Sequence, residues 1–301
     1  MIVMSGLGLL LLSSCSKNLD LAPVSTLSDA SYWKTSDQVD AFVTGIHANF
    51  RTHNASFEAL GELRSDIFGL EPGIGSTFTG ESSQGLENMW NQTIDANNPG
   101  VGNFGASVNN ANISSPATNF YYNINQINLL ISNLNTTNLV AQATKNYYLG
   151  IGFGMRAFYY FQMVRSWGPV VLQTDAVRAI DISNLAKAAS GEADVFKQIK
   201  SDIDSSESNF GSDYSFKNNK AFWSKAATLM LKAEVYLWTA SRDGGTADAT
   251  LAKTALTDIQ TNIPSLTLLP VFTDVFAVKG NSEIIFASRY QLNEATMGFV
   301  S

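Results

Sequence analysis

Residues 141–170 read AQATKNYYLGIGFGMRAFYYFQMVRSWGPV. From Lys145 to Trp167 this stretch is one predicted helix without a polar face. Tyr147, Tyr148, Ile151, Met155, Phe158, Tyr159, Phe161, Met163 and Val164 are spread round it, and only Asn146, Arg156, Gln162, Arg165 and Ser166 interrupt. A helix that is apolar nearly all round is wrapped by other helices or sits in a membrane. The arginines, the glutamine and the tyrosine hydroxyls argue against a span, so the helix is central and other helices lie around it. Gly168-Pro169 stops it, because proline has no N–H and disfavours helical geometry in the residue before it. Gly150, Gly152 and Gly154 each cost roughly 1 kcal/mol against alanine in a helix, and close helix–helix approach is the expected gain. They are not a nucleotide-binding fingerprint: no strand precedes them, and Met155 breaks the G-x-G-x-x-G spacing.

Helical spacing recurs on both sides. Ser36 or Asp37 caps a predicted helix to about Arg51, with Val39, Phe42, Val43, Ile46 and Phe50 on one face. A second runs from Thr118 to Leu134, with Asn123, Asn125, Asn128 and Asn133 scattered around it. After the central helix and a polar connector come Glu192–Phe210, Lys220–Ser241 and Ala247–Ile263, the last stopped by Pro264. Asp202, Asp204 and Glu207 lack the turn glycine of a calcium loop and read as the solvated side of their helix. Asn281–Ala287 is β-prone.

The 301 residues are 45% hydrophobic and 15% charged, with a net charge of −7. A basic stripe is missing, so nucleic acid is not an expected partner. A polar but weakly charged surface rich in aromatics suits an uncharged ligand such as a sugar, and equally an ordinary secreted protein. With Cys15 alone, no disulfide forms within the chain; with only His47 and His53 besides, no metal site or cofactor is expected. Two histidines six apart do not share a helix face. An enzyme is not expected, since no nucleophile–base pair stands out.

The first twelve residues, MIVMSGLGLLLL, have the size of a signal-peptide core and run into Leu12-Ser13-Ser14-Cys15, which resembles a bacterial lipobox. On that reading 1–14 is a cleaved lipoprotein signal peptide and Cys15 is lipidated. The alternative is a buried N-terminal segment with a chance cysteine. Residues 68–115 are rich in Gly, Asn, Ser and Thr; so long a loop is usually functional or mobile. Within it Trp90 lies between Asn88 and Asn91, an aromatic face beside amides, as a sugar ring needs; a tryptophan packed as a plug is the other reading. Glu62-Leu63-Arg64-Ser65-Asp66 is a local charge cluster, read as a structural pair in preference to a substrate contact.

An offset of 76 residues sets Arg156-Ala157-x-x-Tyr160-Phe161 on Lys232-Ala233-x-x-Tyr236-Leu237 and Gly168 on Gly244. Two tetratricopeptide-sized helix pairs plus a connector fit that offset, as does chance similarity of two amphipathic helices.

Several segments, in order, resemble the RagB/SusD family of Bacteroidetes outer-membrane lipoproteins. They are Cys15 with Leu19–Ser25, Tyr32-Trp33-Lys34-Thr35, Glu62–Asp66, Tyr122-Asn123-Ile124-x-x-Ile127-Asn128, Arg156–Phe161 through Arg165-Ser166-Trp167-Gly168, Trp223–Trp238, and Ser282–Phe286. Gly154-Met155 departs from the larger residues usual before the arginine. The resemblance implies an all-α fold of tetratricopeptide-like helix pairs in a solenoid-like bundle with long irregular loops. Residues 15–301 are expected to form the N-terminal portion of that fold, its C-terminal part missing. It further implies no catalysis, capture of glycans (less often peptides) at the outer membrane facing the exterior, and delivery to a SusC-type TonB-dependent transporter. The competing expectation is a tetratricopeptide-like scaffold that binds a protein partner and no sugar.

Overall fold

The computed structural model describes residues 32–62, 65, 119–178, 186–291 and 295. Among them the architecture is all-α. The helices are α1 (Ser36–Thr52), α2 (Asn54–Glu62), α3 (Phe120–Thr136), α4 (Gln142–Trp167), α5 (Glu192–Phe210), α6 (Lys225–Thr239), α7 (Gly245–Asn262) and the short α8 (Asp274–Ala277). From α3 to α7 the main helix contacts are between helices consecutive in sequence, the nearest-neighbour layering of a helix-pair solenoid.

The predicted central helix is α4, and it starts three residues earlier than expected. Between Tyr147 and Val164 only Phe153, Phe158 and Gln162 are less than fully buried. Phe158 meets Phe50 of α1 and Phe57 of α2, while Phe161 meets Phe196 of α5 and Trp238 of α6. Each fully buried aromatic or aliphatic side chain here contributes about 1.5–3 kcal/mol. The glycines provide the close approach expected of them, each toward a different neighbour. A methyl group on Gly150 would lie 2.7 Å from the Phe210 ring, and one on Gly152 3.0 Å from Ile131. On Gly154 it would lie among Trp223, Thr228 and Ser206.

Several boundaries differ from the sequence reading. Thr35, not Ser36 or Asp37, caps α1: its hydroxyl accepts from the Gln38 N–H, and the Gln38 side chain accepts from the Thr35 N–H. A separate helix, α2, follows immediately. The helix expected from Lys220 begins only at Lys225, capped by Ser224, because Asn218, Asn219 and Lys220 adopt left-handed geometry (φ 49°, 50° and 66°). No loop separates α6 from α7. A π turn, Ala240–Gly244, leads straight into α7 at Gly245, whose φ of 54° suits a residue without a side chain. The β-prone Asn281–Ala287 finds no partner strand among the described residues. Its backbone instead meets single carbonyls and amides of other segments, such as Lys220 O with Ala287 N–H at 3.0 Å.

The asparagines of α3 are not scattered. Asn125 exchanges two hydrogen bonds with the Val177 backbone, and Asn128 donates to Gln173 O and Asp175 O. Tyr121 donates to Val171 O, and Tyr160 both donates to Gln173 O and accepts from Gln173 N–H. Side chains of α3 and α4 thus satisfy the connector backbone, which lies extended across them without a strand.

Candidate functional site

The outer face of α5 forms the floor of an open groove of about 1070 Å³. Its inner face explains why: Val195, Ile199, Ile203 and Phe210 point into the core, so at helical spacing Lys197, Ser201, Asp204 and Ser208 point out. Leu149 and Phe153 of α4 form one wall, and Thr239, Arg242 and Asp243 the other. Two of the cations are fixed. The Arg242 guanidinium lies 4.0 Å above the Trp238 ring and donates to Trp238 O at 2.9 Å. Lys200 Nζ is 2.8 Å from Asp248 and 4.5 Å from the centre of Tyr236. Burial disfavours the Asp248 carboxylate, but hydrogen bonds from Lys200 and Thr239 outweigh it and hold the pKa below the ordinary value. The groove offers hydroxyls, amides, both signs of charge and apolar edges. That is equipment for binding. Among the described residues no group of three or more His, Cys, Asp or Glu is placed to hold a metal ion.

Beneath the groove lies a polar centre that sequence reasoning missed. Arg156 of α4 is buried and grips Asp202 of α5 through both arms, at 2.8 and 2.7 Å. Its remaining amino group donates to Asn128 Oδ1 and Thr174 O. Asp202 is therefore not on the solvated side of α5; of Asp202, Asp204 and Glu207 only Asp204 is strongly exposed. Glu207 is partly buried against Lys232. The aligned cations Arg156 and Lys232 thus both reach acids of α5. The available signal was the inward phase of Asp202, between Ile199 and Ile203.

The two histidines stand apart, as their spacing implied. His53 Nδ1 is 2.8 Å from the Tyr159 hydroxyl, which also accepts from Asn123. Burial pushes that tyrosine's pKa far up, so it is a neutral strut. His47 lies against Phe222, ring on ring at 4.4 Å. Burial is the larger influence on it, and the hydrogen bond to Val43 O the smaller, opposing one; together they bring its pKa down to about 4. Cys15, Asn88, Trp90 and Asn91 lie outside the described residues, as do Arg64, Asp66 and the loop 68–115, so none of them is brought to the groove or kept from it.

No family model matches the chain. Curated and solved proteins do. A SusD-like protein of Bacteroides ovatus is 27% identical over 282 residues, covering 91% of this chain and 46% of its own length. A solved SusD superfamily protein of Bacteroides vulgatus is 40% identical with a TM-score of 0.69, over 87% of this chain and 50% of the other. The chain belongs to the SusD/RagB family. Another structural neighbour of this SusD-like chain, NanU of B. fragilis, is 44% identical with a TM-score of 0.75, over 91% of this chain and 51% of NanU. Two more distant structures share the fold: a laminarin-binding SusD-like protein (18% identical, TM-score 0.62) and surface glycan-binding protein A of Bacteroides uniformis (17%, 0.63). The chain spans about half the length of the relatives it matches.

Proposed function

We propose that this SusD-like chain is part of a cell-surface lipoprotein that captures glycans and delivers them to a SusC-type TonB-dependent transporter of the outer membrane. Family membership carries the reading, supported by the glycan-binding names of two proteins of the same fold. The low charge of the chain, 15% of residues, agrees with an uncharged ligand. Anchoring is assigned to acyl chains on Cys15 after removal of 1–14; several chains give firm attachment, each buried methylene adding about 0.8 kcal/mol. No helix among the described residues is long and apolar enough to cross a membrane. Trp90 with Asn88 and Asn91 is the proposed stacking and hydrogen-bonding surface for the sugar. Binding without catalysis is the expected chemistry.

Affinity electrophoresis through gels containing a panel of glycans tests this. Retardation by at least one glycan, reduced by Trp90→Ala, supports the reading; free migration through every gel rejects it. Cys15→Ser should shift the protein out of the membrane fraction. A second reading, a scaffold for a protein partner, is favoured by the groove on α5, which runs along a helix face and is walled by its neighbours. Co-purification of a barrel transporter without any glycan retardation would select it.

A further inference from the structure

His47 stands in α1 where three segments meet. Its Nδ1 is 2.8 Å from Val43 O, one turn earlier in the same helix, and its Nε2 is 2.9 Å from the backbone nitrogen of Trp223. A carbonyl can only accept and an amide N–H can only donate. The ring must therefore be neutral, with the proton on Nδ1 and a bare Nε2. Trp223 immediately precedes Ser224, the cap of α6, so this one acceptor joins α1 to the entry of α6.

The entry is a strained turn. Left-handed geometry costs roughly 1–2 kcal/mol per residue with a side chain, less for asparagine, and Asn218, Asn219 and Lys220 adopt it in succession. The segment 281–290 clasps the turn. Ala287 N–H donates to Lys220 O, Arg289 donates to Asn218 Oδ1, and Lys220 Nζ donates to Asn281 O. The same segment ties back to the first helices: Arg51 donates to Arg289 O, Tyr290 donates to Arg51 O, and Ser288 bonds Asn54. A pocket of about 150 Å³ remains at the junction, lined by His47, Arg51, Phe222, Phe286, Ser288 and Arg289 among others.

We propose that His47 is an acid-released latch between α1 and the entry to α6, and that residues 286–290 are the strap it frees. A proton taken from water onto Nε2 turns the acceptor into a donor facing another donor, and the Trp223 N–H loses its partner. The new charge meets guanidinium groups of Arg51 from α1 and Arg289 from the strap, with Lys220 in the adjoining turn. The described residues lining the pocket include no carboxylate, and Asp40 of α1 is engaged by the Tyr148 hydroxyl. Burial of the ring, opposed in part by the hydrogen bond to Val43 O, independently brings its pKa down to about 4. With the latch open, the strained turn and the strap loosen together while the core around α4 stays closed.

With only two histidines in the chain, long-range ¹H–¹⁵N imidazole spectra across an acid titration read the latch directly. The expected result is an Nδ1–H tautomer for His47 and a midpoint below about 5. Amide exchange at Trp223 and Ala287, whose N–H groups bond His47 Nε2 and Lys220 O, corrected for intrinsic chemistry, should rise about tenfold or more with the same midpoint while Tyr159–Met163 remain protected. His47→Gln, whose amide oxygen keeps the acceptor without a charge, should remove that acid rise. An Nε2–H tautomer, a midpoint near 6.5, simultaneous opening of α4, or an unchanged rise in the variant overturns the proposal. The tautomer and midpoint are measured on the unaltered protein, so the test stands even if the variant does not fold.

Discussion

Replacing Arg156 by methionine probes the buried centre of the fold. The substitution keeps a long apolar stem but removes four donated hydrogen bonds: two to Asp202, one to Asn128 Oδ1 and one to Thr174 O. Asp202 is 1% exposed, and of its described partners only Gln198, at 2.9 Å, remains. Breaking a buried pair this way leaves an uncompensated charge and costs about 3–5 kcal/mol. Asp202→Leu alone should cost a similar amount by stranding the guanidinium. The double variant Arg156→Met/Asp202→Leu removes both charges, so its remaining loss is chiefly the buried acceptor Asn128 Oδ1, about 1–3 kcal/mol, because Thr174 O is only part-buried. The second substitution is thus destabilising in the natural background and stabilising, by about 2 kcal/mol, in the Arg156→Met background. Urea unfolding followed by far-UV circular dichroism measures all three variants. A cost below about 1 kcal/mol for Arg156→Met, or a double variant less stable than either single one, would refute the reasoning.

Three glycine-to-alanine variants should separate by the room each methyl finds. Gly45→Ala meets nothing within 4 Å among the described residues and should stabilise by about 0.4–1 kcal/mol. Gly152→Ala presses on a flexible isoleucine and should be near neutral. Gly154→Ala must displace Trp223 from its bond to Thr228 and should cost about 1–3 kcal/mol. Melting temperatures that do not follow this order contradict the packing described. Acid should weaken the fold through His47. Its folded pKa of about 4 lies below the ordinary 6.5, so the unfolded chain binds the proton more readily. That contribution, at most about 3 kcal/mol, is complete above pH 6.5 and is lost as the pH falls toward 4. Urea midpoints across that window should fall more steeply for the natural protein than for His47→Gln. Phe272 and Phe276, stacked edge to face at 5.3 Å and about three-quarters exposed, should bind an apolar dye. Phe272→Ser/Phe276→Ser should reduce dye fluorescence and leave the urea midpoint within about 0.5 kcal/mol.

The central helix was legible because an apolar stretch bounded by Gly168-Pro169, interrupted by arginines and tyrosine hydroxyls, has one stable solution in a helical bundle, burial on every side. The same local logic located α5 and α7 and explained Gly150, Gly152 and Gly154, since a helix that tolerates three glycines needs compensation from its neighbours. Asp202 was misplaced because a charged residue is ordinarily solvated. Only the approach of Arg156 from another helix, 46 residues earlier, makes its burial favourable. The asparagines of α3 carried no periodic signal of their own, because their partners are backbone groups of the extended connector about fifty residues away.

What the sequence alone determined was the helical class, the order of the helices, the central position of α4 and the family likeness, all of which rest on short-range periodicity and local motifs. Tertiary structure decided the rest. It turned Asp202 inward and delayed α6 to Lys225 through a left-handed turn held by the strap. It gave each histidine a separate partner, and it placed the groove on α5. Those features depend on groups far apart in the chain satisfying one another's hydrogen bonds and charges. No local pattern encodes such pairings, because their free energy exists only once the helices have packed.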